Sequence, residues 1–265
     1  MTIVVKIGGQ AQETAIQRKN VARQIAALRR AGHRVVVIHG GGKALTETLG
    51  RLGITTEFHQ GLRVTDAATR DVAVMVLAGI VNKQWVAEIQ HHGQPALGIC
   101  GGDARLVAAK KIRASTKTGA KDLGFVGRPH SVNTGVLEMA LEAGWVPVVA
   151  SVALNGTREY YNINADDLAA AIASALKADR LFYLTDSGGV WDSQKQLLAT
   201  VRKSEIPALI RRGVVRDGMI PKLRSCARTL KQGVAEIDIL SPALPNALLN
   251  ALKRGSAAGT RVVNK

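Results

Sequence analysis

Short apolar runs alternate with longer amphipathic stretches along most of this chain. Continuous apolar runs, which are typical of buried strands, lie at 3–7, 34–38, 96–99, 146–150, 181–185 and 236–240. Apolar residues at helical spacing lie between them, at 11–31, 44–52, 66–90, 136–143, 165–176, 204–212 and 221–232. This alternation predicts an α/β protein in which helices cover both faces of a mainly parallel sheet.

Two segments depart from the alternation. Residues 106–113 have the pattern of one strand of a hairpin, and Asn155-Gly156 is a turn signal within 154–161. No low-complexity linker separates the two halves of the chain, so we expect any two lobes to share one sheet or a broad interface.

The composition indicates a globular protein, because 46% of the 265 residues are hydrophobic and can form a large core. No apolar run reaches the roughly 18 residues of a membrane span. The opening MTIVVKIGGQ lacks the basic and apolar regions of a signal peptide. We therefore expect a cytoplasmic protein that is not embedded in a membrane. Cys100 and Cys226 have no metal-ligand spacing and are expected in the core.

The net charge of +16 favours anionic partners. Its densest part surrounds Asp122 with six basic residues, namely Lys110, Lys111, Arg113, Lys117, Lys121 and Arg128. A solvated hairpin explains this basic cluster as simply as a binding surface does. Aromatic residues make up only 3% of the chain and offer no stacking platform for single strands, and no nucleic-acid-binding motif is present. We expect no nucleic-acid partner.

Two glycine turns follow predicted strands, one in the stretch Val35–Gly50 (VVVIHGGGKALTETLG) and one in VVKIGGQ. Backbone amides at such turns, together with the N-terminus of the next helix, favour an anion. HGGG is similar to the oxyanion hole of lipases and esterases, but the G-x-S-x-G elbow that must accompany it is absent. The Walker motif and G-x-G-x-x-G are absent as well. A phosphate would therefore need a site built from two neighbouring turns.

Lys6 is a charged residue inside the first apolar strand. Burial of an ammonium group is costly without an anionic partner. Either Lys6 points to solvent from an edge strand, or it faces an anion near the glycines that follow it.

Seven blocks in a fixed order resemble the amino-acid kinase family. They are VVKIGG, HGGGKAL, FHQGLRVTD, MVLAGIVNK, YNINADDLAAAIA, LTDSGGVWD and GMIPKL, and they run almost from end to end of the chain. The resemblance implies an open αβα sandwich with a mainly parallel central sheet. It also implies an acyl-substrate lobe at about 1–160 and a nucleotide lobe at about 161–265.

Within that family the blocks are most similar to those of enzymes of arginine biosynthesis. Those enzymes use ATP and Mg²⁺ to phosphorylate the side-chain carboxylate of N-acetyl-L-glutamate, giving N-acetyl-L-glutamyl 5-phosphate. By this resemblance Lys6 and Lys222 flank the transferred phosphoryl group, and Asp166 holds the two lysines. The resemblance also assigns phosphate binding to Gly8 and Gly9, and substrate binding to Gly41, Gly42, Arg63 and Asn162.

The nucleotide site is implied by the same resemblance. Its residues would be Asp186, Ser187, Gly188, Gly189, Val190, Trp191, Val214, Val215 and Arg216. We expect Mg²⁺ on the phosphates rather than on dedicated protein carboxylates. His39 is expected to make a structural hydrogen bond, because a carboxylate nucleophile needs no base.

Two alternatives to this function stay open. A sister kinase acting on glutamate or 2-aminoadipate tethered to an acidic carrier protein would suit the basic cluster, and a non-catalytic nucleotide sensor would suit the charge. Pro129 in GFVGRP indicates altered strand geometry near Arg128.

Arginine-inhibited members of the family carry a helix before the first strand. Because this strand begins at Thr2 or Ile3, we expect an arginine-insensitive homodimer.

Overall fold

The computed structural model describes residues 1–12, 14–116, 119–215, 218–253 and 259–264. The elements of the first part are, in chain order, β1 (Thr2–Ile7), α1 (Ala15–Arg30), β2 (Arg34–His39), α2 (Gly42–Arg51), β3 (Phe58–His59), β4 (Leu62–Arg63), α3 (Ala67–Ala73), a π-helical segment (Val74–Val81), α4 (Asn82–His91), β5 (Ala96–Cys100), β6 (Val107–Thr116), β7 (Gly119–Val132), α5 (Gly135–Glu142) and β8 (Val146–Ala150).

The remaining elements are β9 (Val152–Leu154), β10 (Tyr160–Ile163), α6 (Ala165–Ala175), β11 (Arg180–Leu184), β12 (Thr200–Arg202), α7 (Ile206–Arg211), α8 (Met219–Lys231), β13 (Glu236–Leu240), α9 (Ala247–Ala251) and β14 (Gly259–Val263). Short 3-10 turns lie at Gly9–Gln12, Asp103–Arg105 and Lys203–Glu205.

The main sheet has eight strands in the order β12-β14-β13-β11-β1-β2-β8-β5. All neighbours are parallel except β13 and β14, which pair antiparallel. The mainly parallel α/β fold expected from the sequence is therefore confirmed. β1 lies in the interior between β2 and β11, with Lys6 opposite Ile38 and Tyr183. Lys6 is thus not on an edge strand.

Successive residues of the central strands enter two separate cores. Val4 and Val36 pack in one core with Leu168 of α6, and the same core contains residues of α5 and α8. Val5 and Val35 pack in the other core, which contains residues of α1, α3, α4 and α9. Because both faces are covered, these strands read as continuous apolar runs. Both cysteines are free and buried, as expected.

A second, smaller sheet closes on itself in the order β10-β7-β6-β9. The hairpin strand predicted at 106–113 is confirmed, because β6 pairs antiparallel with β7. In the turn from β9 to β10, the Asn155 side chain accepts hydrogen bonds from the Thr157 and Glu159 amides (2.8 and 3.0 Å). The partner strand β7 bulges where expected, since Ala108 pairs with Ser131 but Ala109 pairs with Pro129.

The helical prediction at 11–31 is wrong at its start. A 3-10 turn occupies Gly9–Gln12, and α1 begins at Ala15. Thr14 is the N-cap, with its hydroxyl accepting the Gln17 amide at 3.2 Å. A threonine hydroxyl that accepts an otherwise unbonded amide of the first helical turn favours the start of a helix at that point, after the 3-10 turn.

Ala67–His91 is one continuous helical stretch that is long and apolar enough to cross a membrane by length and composition alone. In this fold 44% of its most apolar window is buried inside the protein. Leu77, Trp85 and Ile89 on its inner side pack against the main sheet. The core that the inner side of this helical stretch covers accounts for the apolar residues on that side.

Candidate active site

The two glycine turns lie side by side at the carboxyl ends of β1 and β2, because these strands are parallel neighbours. Gly41 has a φ of +149° and precedes α2, and a Cβ there would lie 2.7 Å from Leu77. Gly9 has a φ of +57°, and Gly8 lies beside the Lys6 ammonium. The positive φ at Gly9 and Gly41 favours glycine there and brings backbone close to the cavity.

A carboxylate joins two ammonium groups beside these turns. Lys6 Nζ lies 2.8 Å from Asp166 Oδ1, and Lys222 Nζ donates a hydrogen bond to Asp166 Oδ2. The three side chains are 13, 24 and 12% exposed for Lys6, Asp166 and Lys222. Lys6 comes from the central strand and Lys222 from the first turn of α8. The predicted grouping of these residues is thus present in the structure.

Local structure fixes Asp166 at the start of α6. The side chain of Asn164, the N-cap, accepts the amides of Asp166 and Asp167 at 2.8 and 3.3 Å. Burial alone raises the pKa of Asp166, but the charges of Lys6 and Lys222 outweigh it and lower that pKa to about 2. The carboxylate is therefore ionised at neutral pH, and the group of three carries one net positive charge.

A cavity of about 280 Å³ opens in front of this group. It is lined by Lys6 and Asp166 of this group, both glycine turns, Arg63, Asn162 and other residues including Phe58 and Ser151. Its charges suit an anion, and its glycine amides suit a phosphoryl group.

Arg63 on the β3–β4 hairpin is only 5% exposed. Its Nη2 donates to the Gly42 carbonyl (3.1 Å) and to Thr46 Oγ1 (2.6 Å), and its guanidinium lies 4.5 Å from the centre of the Phe58 ring. Its Nη1 is buried without a hydrogen-bond partner among the described residues. A buried cation with a spare donor fits recognition of a carboxylate.

Ser151 lines the same cavity and is 2% exposed, but the sequence reading missed it. It directly follows β8, whose carboxyl end lies beside that of β2. The available signal was a polar residue at the end of the apolar run VPVVA, because such ends meet at one edge of a parallel sheet.

The chain matches the Amino acid kinase family over residues 1–241. It belongs to that family. Among curated relatives, the acetylglutamate kinase of Koribacter versatilis is 46% identical over 263 residues, which is 99% of each chain. That of Synechococcus sp. is 43% identical over 265 residues, covering 99% of this chain and 86% of the relative.

Solved structures of amino acid kinase folds are similar to this one. The N-acetylglutamate synthase of Neisseria gonorrhoeae has a TM-score of 0.87 at 25% identity, and the match covers all of this chain and 59% of the synthase. The carbamate kinase of Giardia lamblia has a TM-score of 0.70 at 18% identity, covering 100% of this chain and 98% of the kinase. The second likeness concerns the fold alone.

The nucleotide residues expected for an amino acid kinase begin directly after β11. Trp191 is 45% exposed, and its indole donates to the Ser187 carbonyl at 2.7 Å. Val190 and Val215 are buried in one core, at 1 and 3% exposure, and the Val190 amide donates to Thr260 Oγ1 at 2.7 Å. Gly188 and Gly189 complete the turn, Val214 follows α7, and Arg216 lies outside the described residues. Their contact with a nucleotide stays a prediction.

Asp166→Asn is expected to weaken folding in a pH-dependent way. The folded pKa of about 2 lies below the ordinary value of 3.8, so the stability that this carboxylate contributes is complete above about pH 5 and is lost as pH falls toward 2. The difference in unfolding free energy between wild type and variant should therefore shrink by about 2 kcal/mol over that range, measured by urea denaturation.

Asp71→Asn is the matched control, because the Asp71 carboxylate is 65% exposed and pairs with Arg70 at 2.8 Å. An exposed pair of this kind is worth less than about 1 kcal/mol. A constant difference between wild type and Asp166→Asn from pH 2 to pH 7 would contradict the ionised Lys6–Asp166–Lys222 group.

Proposed function

We propose that this chain transfers the γ-phosphoryl group of ATP to the side-chain carboxylate of N-acetyl-L-glutamate, giving N-acetyl-L-glutamyl 5-phosphate in arginine biosynthesis. Full-length similarity to enzymes named acetylglutamate kinase supports the substrate. The observation that carries the chemistry is the pair of lysines held by Asp166 beside two glycine turns. A cytoplasmic location is part of this proposal, because the reaction uses ATP.

The reaction joins two anions, so its main obstacle is charge. A carboxylate oxygen forms a bond to the γ-phosphorus while the bond to the bridging oxygen breaks, and ADP leaves with that electron pair. The carboxylate is already deprotonated at neutral pH, so no general base is needed. Lys6 and Lys222 stabilise the charge on the phosphoryl oxygens, and the amides near Gly8, Gly9, Gly41 and Gly42 orient them.

Arg63 and Asn162 would orient the substrate. The spare Nη1 of Arg63 would bind the α-carboxylate, while its other contacts hold the guanidinium in place. Asn162 on β10 faces the same cavity and would bind the acylated part of the substrate. The acyl substrate then lies in the lobe at about 1–160 and across its border, and the nucleotide in the lobe at about 161–265.

Mg²⁺ is proposed as a companion of the nucleotide. Among the described residues there is no group of three His, Cys, Asp or Glu side chains that could hold a metal. The Asp166 carboxylate is engaged by two lysines. The residues do not fit a protein-held ion, so we assign the ion to the ATP phosphates.

The two alternatives are less well supported. In the basic cluster, Lys111 pairs with Asp122 at 2.9 Å and Lys121 pairs with Glu57, so part of its charge is neutralised within the chain. Lys117 of that cluster lies outside the described residues. The carrier-tethered substrate is also not favoured by the names of the relatives. A sensor without catalysis would not need Lys6, Lys222 and Asp166 together.

We also propose a homodimer, built on the edge strand β5 and the π-helical segment beside it. Among the described residues β5 pairs only with β8, which leaves its other edge open to a second copy. Met75 and Ile80 on the π-helical segment are 63 and 54% exposed. An open strand edge beside exposed apolar side chains is typical of an interface.

Ile80→Glu is expected to weaken the dimer about a hundredfold, because twofold symmetry would bury two unpaired carboxylates. Sedimentation velocity at micromolar concentration measures the change. Ile16→Glu is the control, since Ile16 is 82% exposed and lies on α1 rather than on β5 or the π-helical segment. A wild type that sediments as a monomer, or an Ile80→Glu variant that stays dimeric, would overturn this interface.

A hydroxamate assay tests the reaction itself. With ATP, Mg²⁺ and hydroxylamine, the acyl phosphate is trapped as a hydroxamate, and we expect signal with N-acetyl-L-glutamate but not with glutamate or 2-aminoadipate. Absence of signal with N-acetyl-L-glutamate would refute the proposed substrate.

Arg63→Lys should raise KM for N-acetyl-L-glutamate at least about tenfold while KM for ATP stays unchanged, since lysine cannot replace a fixed guanidinium.

A further inference from the structure

The block MVLAGIVNK ends in Asn82 and Lys83, which the reaction does not use. Asn82 is fully buried at the start of α4, directly after the π-helical segment. Its side-chain nitrogen lies 2.8 Å from the Val148 carbonyl, 3.1 Å from His39 Nε2 and 3.3 Å from the Ile99 carbonyl. One amide group therefore contacts three neighbouring strands, β8, β2 and β5.

The orientation of this amide follows from its other side. Lys83 Nζ donates to Asn82 Oδ1 and to the Gly98 carbonyl, both at 3.1 Å. Because the oxygen faces an ammonium donor, the nitrogen must face His39. The close approach requires glycine at position 98, where a Cβ would lie 2.1 Å from Asn82 Oδ1.

His39 is bound at both ring nitrogens. Its Nε2 accepts from Asn82, so its Nδ1 carries the proton and donates to the Gly40 carbonyl at 2.8 Å. Burial is the main cause that lowers the pKa of His39 to about 4; the hydrogen bond to Gly40 raises it, and the charge of Lys83 lowers it further. The ring is neutral at pH 7, which agrees with the structural role expected for it.

The same helical stretch also contacts the glycine turn directly. Leu77 and Val81 of the π-helical segment would lie 2.7 and 3.2 Å from a Cβ on Gly41. The residues Gly40, Gly41 and Gly42 are thus held from two directions, by packing on Gly41 and by the hydrogen bond from His39 to Gly40. π-helical insertions within α-helices occur frequently at functional sites.

We propose that Asn82 is a positioning residue, which acts through His39 to hold the turn Gly40–Gly42 against the phosphoryl group. The inference rests on the proposed function for its catalytic consequence, but the geometry of the turn can be measured without it. Asn82 itself contacts no substrate in this arrangement. Its effect is on where the turn amides lie when charge develops, and small displacements of such groups are costly to rate.

Asn82→Leu keeps the number and branching of the side-chain heavy atoms and removes the donor. We expect the backbone order parameters of Gly40, Gly41 and Gly42 to fall from about 0.85 toward 0.6 by ¹⁵N relaxation. We also expect kcat to fall about a hundredfold at saturating N-acetyl-L-glutamate while its KM changes much less.

Gln24→Leu is the matched control. Gln24 is a buried amide of α1, 1% exposed, and its Oε1 accepts the Leu248 amide at 2.9 Å, away from the turn. It should lower the urea midpoint much as Asn82→Leu does, while kcat and the turn stay as in wild type. Equal effects of both variants on kcat and on the turn would overturn the proposal.

The wild-type protein gives an independent test that needs no variant to fold. The ¹⁵N shifts of the His39 ring should report a neutral Nδ1–H tautomer that does not titrate between pH 5.5 and 8, an interval set by the pKa of about 4. An Nε2–H tautomer, or titration in that interval, would refute the contact with Asn82. If wild type makes no hydroxamate, the proposed function fails, whereas the relaxation and tautomer results still decide the role of Asn82.

Discussion

Two ammonium groups can lie close together inside a protein only if a carboxylate lies between them. Lys6, Asp166 and Lys222 satisfy this condition, and the rest of the site depends on it. Without Asp166, the two like charges would repel each other with no carboxylate to offset the cost of burying them. With it, the group of three side chains keeps one net positive charge, fixed in position, at the place where a phosphoryl group would carry negative charge.

The topology explains how three distant residues meet. β2 follows β1 in the chain and lies beside it on one side, while β11 lies beside β1 on the other side. The order in which strands are added to the sheet therefore reverses at β1. Ligands of open α/β sheets bind at such a switch point, outside the carboxyl ends of the strands. Lys6 stands near that end of β1, and the glycine turns after β1 and β2 follow it. α6 and α8 bring Asp166 and Lys222 to the same edge by their N-terminal turns.

The sequence predicted the alternation of strands and helices because burial on both faces leaves continuous apolar runs. It also predicted the lysine group, since the motif blocks specify those residues, and the charge of Lys6 in an apolar strand demanded a partner. The β3–β4 hairpin, the long strand β7 and the contacts of Arg63 were not predictable in this way. Arg63 bonds to Gly42, 21 positions earlier, and such pairs depend on the folded arrangement rather than on local pattern. The same holds for Asn82, which needs three strands and Gly98 in place before its role is visible.

The most direct measurement is a crystal structure of the protein with ADP, Mg²⁺, N-acetyl-L-glutamate and aluminium fluoride as a planar phosphoryl mimic. The ammonium nitrogens of Lys6 and Lys222 should each lie about 3 Å from fluorine atoms of the mimic. Asp166 should contact only the two lysines, and Arg63 Nη1 should bind the substrate carboxylate. A mimic bound away from either lysine, or a metal ion bound directly by Asp166, would contradict the role assigned to this group.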